Sequence, residues 1–164
     1  MAQQFFRATS GAVALTTGVA KHIIGIDNST ATAAANANIR IAVWNYSISF
    51  NGATTTAVPV AIRVLRTDPN TGTWSNATNA VIMDDEGPVE TLTVNTRNTS
   101  TVAPTGLVVL RSFQLPQYQG YYEPTPRTDG KPHFTLKGNS QLTFEITATF
   151  AGSLSCTIDL LCEA

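Results

Sequence analysis

Charge is scarce in this chain: Asp, Glu, Lys and Arg together make up 13% of its 164 residues. That is about half the roughly 25% usual in globular domains. The formal net charge is −1 at pH 7, so no electrostatic footprint for nucleic acid or for an anionic membrane surface is present. Long apolar runs are also missing, and none approaches the roughly 20 residues needed to cross a bilayer. The start, Met1 to Arg7, lacks the basic opening and continuous apolar core of a secretory signal. The expectation is a chain made and folded in the cytoplasm. Four Asn-x-Ser/Thr triplets, at Asn28, Asn45, Asn76 and Asn98, are then read as unglycosylated products of an Asn- and Thr-rich composition.

Cysteine and histidine are as sparse, with two of each. Cys156 and Cys162 fall six positions apart on one expected strand, which places their Cα atoms about 20 Å apart at about 3.3 Å per residue. A disulfide needs roughly 4.4 to 6.8 Å. The two thiols are therefore expected to be buried or partly buried and reduced, with an interchain bridge at Cys162 as the alternative. His22 and His133 lie more than a hundred positions apart and read as structural or surface histidines rather than ligands. No zinc spacing, His-x-His pair, glycine-rich phosphate loop or nucleophile elbow is present. Asp84-Asp85-Glu86 carries the oxygen ligands calcium prefers, but adjacent loop carboxylates read more simply as solvated charge. No catalysis and no cofactor are expected.

What the chain does have is alternation. Leu142, Phe144, Ile146, Ala148 and Phe150 alternate with Thr143, Glu145, Thr147 and Thr149. Leu154, Cys156, Ile158, Leu160 and Cys162 follow in the same rhythm. Side chains on a strand repeat every second residue, so each run presents one apolar and one polar face. The intervening Ala151-Gly152 reads as a hairpin turn. Ile39 to Phe50 is a further strand whose apolar parity switches, from Ile39, Ile41 and Val43 to Tyr46, Ile48 and Phe50. One inserted residue does that, so a β-bulge is placed near Trp44-Asn45. Ala57 to Thr67 buries Val58, Val60, Ile62 and Val64, and Pro59, which cannot donate to a ladder, puts its start at an edge or opposite solvent. Strands are also expected at Lys21 to Asp27, Leu107 to Leu115 and His133 to Lys137. Asn28 to Asn38 reads as a loop, as does the stretch between residues 68 and 105 apart from a short Thr91 to Val94 strand. The result is an all-β fold: a single antiparallel β-sandwich over residues 1–164, jelly-roll-like, with about eight strands and a short N-terminal arm at 1–9.

Some residues have no obvious place in that core. Phe5 and Phe6 are adjacent and so face opposite ways, one toward the core and the other either covered by a neighbouring loop or left for a partner surface. With Arg7, Trp74, Tyr121 and Tyr122 they form the candidate partner contacts. The aromatics Tyr118, Tyr121, Tyr122 and Trp74 are alternatively a sugar-binding platform.

Val64-Leu65-Arg66, a long loop, Val109-Leu110-Arg111-Ser112, Tyr122-Glu123-Pro124-Thr125-Pro126 and a closing pair of strands after Gly138 resemble a family of head decoration, or cement, proteins of tailed bacteriophages. The similarity covers roughly residues 58–164. It implies a jelly-roll homotrimer on the capsid exterior that binds the major capsid protein and stiffens the shell, assembled in the host cytoplasm. The Asn28 to Asn38 tract and the Asp84-Asp85-Glu86 loop depart from the family pattern. Two alternatives stand beside this reading: a tail-fibre or receptor-binding tip domain recognising host glycan, and a carbohydrate-binding module.

Overall fold

A computed structural model describes residues 5–27, 40–52, 58–67, 73–79, 81–82, 95–119, 121–137 and 140–163, with 74–79, 81–82, 95–101 and 119 described by their backbone alone. The strands are β1 (Phe5–Thr9), β2 (Val13–Ala14), β3 (Ala20–Asp27), β4 (Ile41–Asn51), β5 (Val60–Thr67), β6 (Thr73–Asn79) and β7 (Val81–Ile82). After them come β8 (Asn95–Val102), β9 (Val108–Leu115), β10 (Tyr121–Tyr122), β11 (Phe134–Leu136), β12 (Gln141–Thr147) and β13 (Ser155–Glu163). A single 3₁₀ turn, Gln117–Gln119, is the one helical element among the described residues.

All pairings are antiparallel and form two sheets. The first runs β10-β4-β13-β1-β7, with β11 also on β4 and β2 on β13. The second runs β6-β8-β3-β12-β5-β9. The chain passes from one sheet to the other between β1 and β3, β3 and β4, β4 and β5, β9 and β10, β11 and β12, and β12 and β13, so that β1-β13-β4-β10 faces β3-β12-β5-β9. β1, β3, β4 and β5 from the first half of the chain each lie beside β12 or β13 from its end, which is the paired Greek key of a jelly roll. Phe6, Tyr46, Ile48, Ile158 and Cys162 from the first sheet join Ile24, Ile26, Ile62, Val64 and Phe144 from the second in one buried cluster.

The bulge falls where parity placed it. Leu161 of β13 pairs with Asn45 and Cys162 pairs with Val43, leaving Trp44 as the extra residue. Asn51-Gly52 makes the expected turn. Gly52 has φ +121°, and a Cβ there would lie 2.3 Å from the Ser153 carbonyl oxygen.

Four expectations need correction. β12 and β13 are not a hairpin: β12 pairs with β3 and β5, β13 with β4 and β1, and the Ala151 to Leu154 turn carries the chain across the sandwich. Alternation reveals which face is apolar but not which strand lies alongside, and two apolar faces can equally meet face to face. Residues 5–9 are not a free arm but a strand inserted between β13 and β7. The stretch from 68 to 105 holds the β6 and β8 pair, which extends the second sheet beyond β3. Their sequences, Thr73–Asn79 and Asn95–Val102, are polar on both parities, so no hydrophobic period marks them. Hence the described strands number thirteen, ten if the two-residue β2, β7 and β10 are set aside, rather than about eight. Finally, the polar side of β12 is not a solvent face. Thr143 and Glu145 are buried, with His22 of β3 against both and Arg63 of β5 bound to Glu145, whereas Phe150, past the strand end, is half exposed. The tracts at 28–38, 84–86 and 91–94 lie outside the described residues.

Candidate functional site

The candidate contacts divide by strand parity. On β1 the burial alternates, so Phe5 and Arg7 face outward while Phe6 is 2% exposed in the core. Phe6 is thus a core residue and not a partner contact. Tyr121 and Tyr122 are opposite Ser49 and Ile48 of β4. Being adjacent, they point to opposite sides of the first sheet: Tyr121 is 58% exposed, and Tyr122 packs against the core. Trp74 is on β6, at the far edge of the second sheet, so topology separates its position from the other five.

Arg7 and Tyr121 do come together. They line a shallow depression of about 80 Å³ on the outer face of the first sheet, with Asn45, Ser47, Glu123 and Asp159. The Tyr121 hydroxyl donates to Glu123 Oε2 at 2.7 Å, and the Asn45 amide donates to the other oxygen of that carboxylate. These bonds hold the Glu123 carboxyl below its ordinary range and raise the Tyr121 phenol. Tyr121 and Glu123 are thereby fixed to each other on a rigid four-strand platform, a pre-ordered patch whose side-chain entropy is already partly spent.

A second feature went unseen in the sequence. Where β9, the edge of the second sheet, approaches β10 and β11 of the first, the sandwich opens into a cleft of about 480 Å³ lined by Arg111, Tyr122, Thr125, Arg127, His133 and Phe134, among others. Arg111 Nη1 donates to the Tyr46 hydroxyl at 2.9 Å, and its guanidinium lies 5.4 Å from the Phe113 ring centre. Burial pushes the Tyr46 phenol up to about 12, against the opposing pull of Arg111. Arg127 is bound to Asp129 by two bonds, at 3.0 and 2.6 Å. The His133 ring stands edge-on to Tyr46, its buried Nε2 without a hydrogen-bond partner. Burial first, then Arg111 and Arg127, lower its pKa. Nothing in the sequence marks these residues as a group, because three different segments supply them.

The third grouping is interior. Glu145 is buried and accepts from Arg63 Nε at 2.7 Å, with Arg63 Nη2 at 2.5 Å from the same oxygen. His22 Nε2 lies 3.5 Å from Glu145 Oε2, and His22 Nδ1 is 3.5 Å from the Thr143 hydroxyl. This resembles a hydroxyl–imidazole–carboxylate relay, but the Thr143 hydroxyl is fully buried and donates to the Ile24 carbonyl at 3.2 Å. A nucleophile must be reachable by substrate, and this one is not. The group acts as a polar tie between β3, β12 and β5.

No group of three or more His, Cys, Asp or Glu among the described residues is placed to hold a metal ion. Fold and surface together define the class: a jelly-roll β-sandwich with one pre-ordered outer face and one cationic, aromatic-walled cleft. No family model, no curated protein and no solved structure matches the chain.

Proposed function

We propose that this chain is a non-catalytic virion structural protein, a decoration protein that binds the outside of a tailed-phage capsid and stabilises it. The observation that carries this reading is the outer face of the first sheet. There Arg7, Leu161 and Tyr121 line one shallow depression with Glu123 and Asp159, and the bonds from Tyr121 and Asn45 to Glu123 hold part of it in place before any partner docks. Mixed aromatic and arginine content on a rigid surface is typical of protein contacts. Jelly rolls occur in capsid proteins, lectins and cupins alike, so the fold permits the role without selecting it. The sequence resemblance supplies the choice of partner, the major capsid protein, and the homotrimeric state.

Binding the assembled shell but not its separated subunits stabilises the shell by mass action. Three copies acting together add avidity. The test is co-sedimentation of the purified chain with tailed-phage heads that lack a decoration protein, with a rise in the heads' thermal disruption temperature as the functional readout. Saturable binding with a raised temperature is expected. Heads that leave the protein in the supernatant would rule the reading out.

A further inference from the structure

We infer that the cleft between β9 and the β10–β11 edge is a binding site for a carboxylate-bearing saccharide, with Arg111 and Arg127 receiving the carboxylate and Tyr122 and Phe134 forming the walls. The cleft's volume, about 480 Å³, is that of a small-ligand site and matches one or two sugar rings. Its lining combines aromatic surface with a few fixed polar groups. That combination suits a pyranose, which has an apolar C–H face and a hydroxylated rim.

The anionic preference follows from charge. Arg111 and Arg127 are both exposed and line the same cleft. Arg111 bonds to a neutral phenol, and no carboxylate pairs with it among the described residues. Arg127 has a carboxylate partner in Asp129, but that pair is solvent-exposed, with side chains 45% and 40% accessible, and such pairs are weak. Planar guanidinium groups bind carboxylates through paired hydrogen bonds, and an anion between them relieves their mutual repulsion. The groups facing His133 point the same way: Arg111 on β9, Arg127 in the loop after β10 and Tyr46 on β4, with no acid acting on the ring among the described residues. Burial, and after it the two guanidiniums, lower the affinity of this ring for a proton, and an anion bound beside the guanidiniums offsets their part. His133 is therefore a built-in reporter of occupancy.

A rival occupant is an acidic peptide lying along the exposed edge residues Val108, Val109 and Leu110 of β9. A compact concavity with aromatic walls favours the sugar. The inference is independent of the capsid reading, since it concerns the sandwich edge rather than the outer face of the first sheet.

The experiment is titration of the full chain, by calorimetry and by NMR of the histidine ring, with a glucuronic-acid disaccharide and with its carboxyl-reduced, neutral counterpart. Saturable binding of the acidic sugar is expected, weakened about tenfold by reduction of the carboxyl and by Arg127→Gln or Arg111→Gln, with an upward shift of the His133 pKa on binding. Arg127→Gln alters an exposed loop, so its folding is not at issue; Arg111→Gln also removes the Tyr46 bond and is read only if its spectrum is native. The inference is overturned by no saturable signal at roughly 10 mM sugar. Equal binding of both sugars, no effect of Arg127→Gln, or tighter binding of a glutamate-rich hexapeptide would overturn it as well.

Discussion

Cys156 and Cys162 show how burial governs chemistry one residue at a time. Both are free and buried, and both point inward from β13. Desolvation pushes the Cys156 thiol up to about 12 and the Cys162 thiol higher still. The thiolate is the reactive form, so neither cysteine should be alkylated by iodoacetamide at pH 8 until denaturant is added, as intact-mass spectrometry would show. Rapid labelling of the native protein would mean that β13 is not packed as described. His22 makes a second residue-level case. Burial lowers its pKa, Glu145 opposes that, and Arg63 reinforces it. A histidine with a depressed native pKa binds fewer protons folded than unfolded below about pH 6.5, so stability falls as pH drops through that value. His133 is shifted in the same direction, and carboxylates such as Asp129, whose pKa is lowered, add their losses only at more acid pH. Urea midpoints should thus decline between about pH 7.5 and 5.5, and His22→Asn should flatten part of that slope.

At the scale of the element, β1 departs most from the sequence reading. An alternating Phe5-Phe6-Arg7 at a chain start reads as an arm because nothing local names its neighbours. The register Phe6–Cys162 on one side and Phe6–Ile82 on the other makes it an interior strand of the first sheet. Phe6→Ala should therefore cost about 3–5 kcal/mol, as cavities in packed cores do, whereas Phe5→Ala should remain within about 1 kcal/mol. Chemical denaturation of the two variants makes the comparison, and equal small effects would contradict the strand. The turn after β4 gives a sharper case. At φ +121° and with the Ser153 carbonyl oxygen 2.3 Å from any Cβ, Gly52→Ala adds backbone strain of about 1–3 kcal/mol to a clash with main chain that cannot rotate away. A loss of more than about 2 kcal/mol is expected from the same measurement. The bulge at Trp44 was legible because one inserted residue inverts every later side chain. The β6 and β8 pair was not, because strands polar on both parities have no inside.

For the whole molecule, the question is which surface meets another. The outer face of the first sheet and the cleft at the sandwich edge are separate, so variants can address them one at a time. Arg7→Glu combined with Tyr121→Ala changes exposed side chains only. It should leave the melting temperature within about 2 °C and weaken co-sedimentation with phage heads at least about tenfold. Light scattering on the eluting species would weigh the assembly directly, with three chains expected. Unchanged head binding by the double variant would move the docking surface elsewhere.

What the sequence determined by itself was everything set by local periodicity: the all-β class, the inward side chains of β4, β5, β12 and β13, the bulge at Trp44, the turn at Asn51-Gly52 and the buried thiols. A period of two is a property of neighbours along the chain and needs no partner to be read. Tertiary structure decided the rest: that β12 and β13 face each other across the core, that Phe6 is interior and Tyr121 is not joined by Tyr122, and that Arg111, Arg127 and His133 share a cleft. Those facts depend on which strands lie side by side. Strand pairing is settled by the closure of two apolar faces over one core, a condition that no short stretch of the chain contains.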